Sequence, residues 1–191
     1  GEPMSALYRM AFSTHKQIDI QTGDRVIISA SAIPGNEKAV TNVINELLVK
    51  GADVISCGKC EAYDNGNGSL MRIMPICLYM YEKQKEEGIS DDEVIKVIHE
   101  VSALTHAHLR SKIACGIYFY IIRNILDGKG SLSERVQAGV SEAWAYYERE
   151  PEGATEVEYY GRIKDIETLK SLPREEIHGY GYVVPTMEAA L

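Results

Sequence analysis

The sequence predicts a mixed fold in which a short strand–helix–strand segment precedes a longer all-α region. Residues 24–29 form a β-branched run, residues 40–48 carry apolar side chains at helical spacing, and residues 52–55 begin a second strand-like run. Beyond residue 57, apolar stretches of ten or more residues are typical of buried helices. We therefore predict an α/β unit over residues 1–56 and a helical unit over residues 57–191, truncated inside a last helix that starts near residue 186.

Composition and charge restrict the classes of function. The formal charge is -8, and residues 1–56 contain five Lys/Arg against six Asp/Glu, so the helical unit carries most of the negative charge. Nucleic acid is therefore an unlikely partner. The sequence contains no run of eighteen apolar residues and no pattern of a signal peptide at its start, so we expect no membrane association.

The four cysteines fit a reduced, cytoplasmic protein. Cys77 and Cys115 stand in apolar runs and are predicted to be small buried side chains. Cys57 and Cys60 have the spacing of a zinc or redox motif. They lack a second pair, however, so chance spacing is the stronger interpretation.

In the N-terminal unit, the loop after the first strand offers a possible binding position. Ligands of α/β sheets usually bind beyond the carboxyl ends of strands, and Ser29, Ser31 and Asn36 could donate hydrogen bonds to a phosphate there. The alternative is a turn followed by a helix N-cap. Helix 40–48 is predicted to end at Lys50, with Gly51 as its left-handed cap.

Two segments of this unit resemble the β-CASP region of ribonuclease J. They are residues 1–7, with Gly-Glu-Pro-Met, and residues 23–37, with Ile-Pro-Gly-Asn-Glu, within a resemblance over residues 1–55. The resemblance implies descent from a two-metal nuclease of the metallo-β-lactamase fold. That family's His-x-His-x-Asp-His ligand segment is not in this sequence, and the pattern is lost after Ile55. We therefore expect a fragment without nuclease activity.

The helical unit opens with a dense turn signal at residues 64–69, which leads into an apolar run over residues 70–81. The run predicts one buried helix. A glycine loop at the start of a helix presents backbone N–H groups that suit a phosphate or a sugar diphosphate. The alternative is a simple turn, which is the role of most such loops.

Several other motifs have structural explanations. Ser90 and Glu93 have the spacing of a capping box, which we favour over an acidic metal motif. His99 and His106 are seven residues apart and could share a helix face, and His106 and His108 form a His-x-His pair. Zinc binding would need a further ligand at suitable spacing, so structural hydrogen bonding is the stronger alternative.

Three further helical segments are predicted along the chain. They are a buried helix at residues 113–125 ended by Gly128, an amphipathic helix from Ser133 to Tyr147, and a short turn at residues 166–169 before Pro173. The acidic residues between positions 148 and 158 are interpreted as solvated faces and caps.

Three segments of the helical unit resemble the ADP-ribosylglycohydrolase family: residues 64–72, residues 102–108 and residues 181–191. Their order and spacing agree with that family along residues 57–191. The resemblance implies an all-α fold that hydrolyses the glycosidic bond of ADP-ribose with two Mg²⁺ ions. It further implies that the substrate-binding residues are Asn65, Gly66, Asn67, Gly68 and His106. Met71 and Arg72 belong to the same motif and are expected to shape it.

The resembled family holds its Mg²⁺ ions with a Thr-Asp-Asp-Thr motif and an Asp-x-Asp-Thr motif, and neither occurs here. We therefore assign no metal ligands and no catalytic residues, and expect ADP-ribose or an ADP-ribosylated substrate as the partner. Four hypotheses remain: a binding module without turnover, an inactive remnant or fusion product joined near residues 55–57, a glycohydrolase completed by another chain, and an RNA-related role of the ribonuclease J-like piece.

Overall fold

The computed structural model describes residues 6–28, 37–56, 58, 60–128 and 130–191. It divides into two compact units, residues 1–58 and residues 59–191. The described elements of the first unit are α1 (Ala6–Ala11), β1 (Arg25–Ile28), α2 (Glu37–Val49) and β2 (Asp53–Ser56).

Strands β1 and β2 of the first unit pair in parallel, with Arg25 opposite Asp53 and Val26 opposite Val54. Helix α2 connects them and buries Val43, Ile44 and Leu47. The predicted strand–helix–strand unit is thus confirmed. Its strands are parallel, as expected when a helix connects two neighbouring strands. The predicted phosphate-binding residues Ser29, Ser31 and Asn36 lie outside the described residues.

The end of α2 is fixed by a glycine turn, as the sequence predicts. Gly51 has a φ of +78°, and its N–H donates to the Leu48 carbonyl at 2.9 Å. Next to the turn, the Lys50 ammonium pairs with Asp19 at 2.6 Å and donates to the Met10 carbonyl at 3.3 Å. Lys50 thereby fastens the segment after α1 to the end of α2. Helix α1 was not predicted, because six residues are too few to show a helical period.

The second unit is helical. Its helices are α3 (Gly68–Arg72), α4 (Met74–Glu87), α5 (Asp91–Ala103), α6 (Leu109–Asp127), α7 (Leu132–Tyr147), α8 (Pro151–Val157), α9 (Ile166–Lys170) and α10 (Val183–Ala190). Helix α6 is central to this unit, because it contacts α3, α4, α5, α7, α8 and α10.

Two glycines allow α6 and α7 to approach closely. A Cβ on Gly139 would stand 2.6 Å from the Cα of Ile121, and a Cβ on Gly116 would overlap the Tyr147 hydroxyl. Isoleucine and aromatic side chains of α6, including Ile113, Ile117 and Phe119, are fully buried at this contact and around it. The apolar run at 113–125 is therefore the core helix that its composition predicts, although the helix extends further at both ends.

The predicted single helix over residues 70–81 is wrong. The structure ends α3 at Arg72 and begins α4 at Met74, with Pro75 in the first turn of α4. Proline has no N–H to give to the preceding turn, and its ring clashes with that turn's carbonyl. The loop therefore leads into a helix of only five residues, whose dipole is much weaker than that of the predicted long helix.

Serine capping boxes start two of the long helices. Ser90 and Glu93 cap α5 as predicted, with reciprocal side-chain and backbone hydrogen bonds. Helix α7 begins at Leu132, one residue before the predicted Ser133, because Ser131 is its N-cap and forms the box with Glu134. The Ser133 hydroxyl instead donates to Glu167.

The acidic segment after α7 contains a helix that the sequence analysis did not identify. Residues 151–157 form α8, which starts at Pro151 and buries Gly153 and Val157. Helix α10 likewise starts at Val183, before the predicted position. Within the described residues, no helix combines the length and the apolar character needed to cross a bilayer.

Candidate functional site

The loop at residues 65–68 is built around Asn65, whose side chain is fully buried. Its Oδ1 accepts hydrogen bonds from the Ser111 N–H at 3.2 Å and the Ser111 hydroxyl at 2.7 Å. Its Nδ2 donates to the Ala62 carbonyl at 2.9 Å. Asn65 is predicted to bind substrate. In the structure, its side chain holds the loop against the first turn of α6.

The other side of the loop is held by the segment before α10. Gly66 and Tyr182 form an antiparallel bridge, in which the Asn67 N–H donates to the Gly181 carbonyl and the Val183 N–H donates to the Asn65 carbonyl, both at 2.9 Å. The Asn67 side chain adds a hydrogen bond to the Thr186 hydroxyl at 3.1 Å. Backbone and side chains together therefore fix the loop conformation.

His106 lies against the two glycines of this loop. A Cβ on Gly66 would stand 3.1 Å from His106 Nε2, and a Cβ on Gly68 would stand 2.9 Å from His106 Cε1. The structure thus brings together the glycines and the histidine singled out in the sequence, although they are about forty positions apart. Glycine is needed at Gly68 in particular, because a side chain there would displace the imidazole.

The environment of His106 favours the neutral imidazole. Burial lowers the pKa of His106, the neighbouring Arg72 guanidinium lowers it further, and Asp64 opposes them. The ring is oriented by a 2.8 Å hydrogen bond between Nδ1 and the Thr105 hydroxyl. His106 therefore presents an oriented, mainly uncharged ring to the loop near neutral pH.

Arg72 supplies a positive charge beside the loop. Its Nη1 donates to the Gly68 carbonyl at 3.1 Å and its Nη2 donates to the Val101 carbonyl at 3.0 Å. Burial lowers the pKa of Arg72, yet a guanidinium keeps its charge in proteins. Both of these partners are neutral carbonyls, which do not compensate the guanidinium charge as a carboxylate would. Met71, from the same motif, is 75% exposed.

The other candidate histidines have separate structural roles. His99 lies within α5, whereas His106 follows the end of that helix at Ala103, so the predicted shared helix face is wrong. His108 is the N-cap of α6 and accepts a hydrogen bond from the Arg110 N–H. Across the described ranges, no group of three or more His, Cys, Asp or Glu side chains could hold a metal ion.

His99 belongs to a second polar feature. Its Nε2 is 2.8 Å from the Tyr147 hydroxyl, and burial, together with Lys112, lowers the pKa of His99 to about 4. The pair borders a groove of about 550 Å³ that is also lined by Tyr146 and Arg149.

Of the cysteines, Cys77 and Cys115 are buried as predicted, and burial raises the pKa of both thiols. Cys60 is exposed. Cys57, the first residue of the predicted Cys-x-x-Cys motif, lies outside the described residues.

The sequence analysis did not identify Arg110, Glu156 and Tyr182, a group of polar residues that supports the loop. Arg110 forms a two-pronged ion pair with Glu156, with Nε–Oε2 at 2.9 Å and Nη2–Oε1 at 3.2 Å. Its Nη1 donates to the Tyr182 hydroxyl at 2.7 Å. Tyr182 stands in one of the segments quoted above, but nothing in its local sequence indicates a hydrogen bond to a residue 72 positions away.

Comparison with known proteins gives matches to ribonuclease J. Residues 1–47 match the family described as "Ribonuclease J, beta-CASP domain". The chain is 47% identical over 68 residues to Ribonuclease J of Corynebacterium glutamicum, which covers 36% of this chain and 10% of that protein. It is 46% identical over 69 residues to Ribonuclease J of Thermus thermophilus, covering 36% of this chain and 12% of that protein.

A third relative, Ribonuclease J of Helicobacter pylori, is 59% identical over 54 residues, covering 28% of this chain and 8% of that protein. No solved structure matches the chain significantly. The chain thus spans about a tenth of the length of the curated relatives it matches, and the similarity to the β-CASP domain of ribonuclease J belongs to its N-terminal part.

Proposed function

We propose that this chain joins a non-catalytic β-CASP fragment of the ribonuclease J type to a helical module that binds ADP-ribose without hydrolysing it. The single observation that carries the binding proposal is the packing of His106 on Gly66 and Gly68 beside the Arg72 guanidinium. The imidazole occupies the space that side chains at these two glycines would fill, so a ligand would meet the ring together with the Arg72 guanidinium, whose charge favours an anionic group such as a phosphate.

The chemistry of the loop suits binding more than turnover. Hydrolysis of a glycosidic bond needs an oriented water and stabilisation of an oxocarbenium-like centre, by metal ions or by a pair of carboxylates. The resembled family uses Mg²⁺ for this purpose, and its two acidic motifs do not occur in this sequence. Glu61 and Asp64 are the carboxylates nearest the loop in sequence, and both precede it on one short segment rather than flanking it.

Isothermal titration of the full chain with ADP-ribose, in the presence of EDTA, tests this proposal. We expect one site of weak affinity, lost in His106→Ala and kept in the control His178→Ala, which replaces an exposed histidine. Circular dichroism establishes that both variants stay folded. The absence of heat from a folded wild-type chain at millimolar ADP-ribose would contradict binding, and Mg²⁺-dependent release of ADP-ribose from ADP-ribosyl-arginine would contradict the lack of turnover.

A second candidate is an RNA-related role of the N-terminal unit, favoured by its identity to ribonuclease J. Fluorescence anisotropy with single-stranded RNA separates the two candidates. We expect no binding at physiological salt, because the chain carries a charge of -8 and phosphate backbones are held mainly by Lys and Arg. Salt-dependent RNA binding would favour the second candidate instead.

A further inference from the structure

The hydroxyl of Tyr182 lies where three parts of the helical unit meet. It donates a hydrogen bond to the Ala62 carbonyl at 2.9 Å, just before the loop. It accepts one from Arg110 Nη1 at 2.7 Å, at the start of α6, and a longer one from Asn65 Nδ2 at 3.5 Å. One oxygen thus joins the loop, helix α6 and the segment leading into α10.

Several neighbouring residues fix the orientation of the Arg110 side chain, so a hydrogen bond to Arg110 can hold the loop in one position. Its side chain is 8% exposed and its Glu156 partner 17% exposed, and the two form a two-pronged pair. The guanidinium lies 3.4 Å from the ring centre of Tyr159, and the Tyr160 hydroxyl donates to the Arg110 carbonyl at 2.8 Å. A planar cation with this many contacts has very little rotamer freedom left.

The backbone contacts of Tyr182 are separate from those of its hydroxyl. The bridge to Gly66 uses only main-chain groups, so a phenylalanine at this position keeps both the bridge and the ring. The hydroxyl, by contrast, is what connects Arg110 to the Ala62 carbonyl. Replacing Tyr182 by Phe therefore removes the connection without removing the fold.

We propose that Tyr182 is a positioning residue of the glycine loop: its hydroxyl ties residues 62–65 to the rigid Arg110–Glu156 pair and so sets the loop against His106. This proposal rests on the proposed function only for its effect on ADP-ribose affinity. The geometric part rests only on contacts within the chain itself.

The first test uses the ligand-free full chain, with Tyr182→Phe compared with two controls. Tyr180→Phe changes an exposed tyrosine two positions away, and Tyr159→Phe keeps the ring beneath Arg110 and removes a hydroxyl outside the connection. In Tyr182→Phe we expect the amide resonances of Gly66 and Gly68 and the ring resonance of His106 to shift. Amide exchange of residues 65–68 should become roughly tenfold faster, because the variant loses about one hydrogen bond. Both controls should leave these signals in place.

The second test is titration with ADP-ribose, in which Tyr182→Phe should raise Kd by roughly fivefold with little change in Tm. Glu156→Gln provides an independent variant, because it weakens the support of Arg110 and leaves Tyr182 intact. It should shift the same loop resonances by a smaller amount.

Unchanged loop and His106 signals in Tyr182→Phe would overturn the positioning role, whatever the ligand. Shifted loop signals in a protein that does not bind ADP-ribose would support the positioning role and contradict the proposed function.

Discussion

His106 and Gly68 fit together so closely that the glycine has no room for a side chain: a Cβ at this position would stand 2.9 Å from the Cε1 of the imidazole. The contact couples a residue beyond the end of α5 to the first residue of α3. Burial is also the largest cause of the lowered pKa of His106.

The first prediction concerns this contact. Gly68→Ala should destabilise the helical unit by about 1–3 kcal/mol, since the added methyl group must displace the imidazole or the loop. Denaturant unfolding measures the change. Gly161→Ala is the matched control and should change the free energy of unfolding by less than about 0.5 kcal/mol, because its Cβ would meet no atom of the described residues within 4 Å. A double variant with His106→Ala should recover part of the loss, and equal costs for Gly68→Ala with and without His106 would contradict the steric account.

The second prediction concerns the Asp91 carboxylate at the start of α5. Burial alone would raise the pKa of Asp91, but hydrogen bonds from Arg123, Gln84 and Tyr120 outweigh it and lower the pKa below its usual value. A carboxylate with a lowered folded pKa stabilises fully above the unfolded pKa, and this contribution is lost as pH falls through the folded pKa. Unfolding free energy should therefore decrease below about pH 4.

Asp91→Asn tests this, and should cost about 1–3 kcal/mol at pH 7 while flattening the acid side of the pH profile. Glu86→Gln, which removes an exposed carboxylate from α4, should leave that profile unchanged. An identical acid profile in Asp91→Asn and the wild type would show that the network does not stabilise the fold.

The third prediction concerns His99. Because the folded pKa is lowered to about 4, the unfolded chain binds the proton first as pH falls below about 6.5. Stability from this group is complete above pH 6.5 and decreases toward pH 4, with a slope of at most about 1.4 kcal/mol per pH unit. Nuclear magnetic resonance of the His99 ring measures the pKa directly. Lys112→Gln should raise it, since Lys112 lowers it through its charge, and a ring that titrates near pH 6.5 in the wild type would contradict the prediction.

The fourth prediction separates two costs at glycine turns of the N-terminal unit. Gly23 and Gly51 both have positive φ, at +89° and +78°. A Cβ on Gly51 would also stand 2.9 Å from Thr22 Cγ2, whereas one on Gly23 would meet no atom within 4 Å in the part of the chain that the structure describes. Gly51→Ala should therefore destabilise the unit by about 1–2 kcal/mol more than Gly23→Ala. Amide exchange of β1 and β2 in the full chain measures the destabilisation caused by each variant. Equal effects would show that backbone strain alone determines the cost of the substitution.

The structure shows which features can be predicted from neighbouring residues. The Ser90–Glu93 capping box was predictable because its two partners are three positions apart and their chemistry is reciprocal. The same rule, applied to Glu134, selects Ser131 rather than Ser133 as the start of α7, so the signal was present in the sequence. Pro75 likewise carried the signal for the break between α3 and α4.

Features that depend on distant residues could not be predicted in this way. The Arg110–Tyr182 hydrogen bond and the Ser111–Asn65 hydrogen bonds join residues 72 and 46 positions apart, and no local pattern encodes them. A sequence resemblance selected the glycines, Asn65, Asn67 and His106 as one group. Only the structure shows that their roles differ: the buried Asn65 side chain forms hydrogen bonds within the protein, whereas the glycines face the imidazole.

The bridge between Gly66 and Tyr182 has a consequence for the order of folding. Tyr182 and Thr186, which hold the loop, follow the loop residues that they contact by 117 and 119 positions, so closing this contact carries one of the largest entropy costs in the unit. On a ribosome the α4–α7 helices can pack before these residues have left the exit tunnel. The loop therefore reaches its final shape only after residues 182–186 have emerged, and refolding experiments should show His106 burial as a slower step than helix formation.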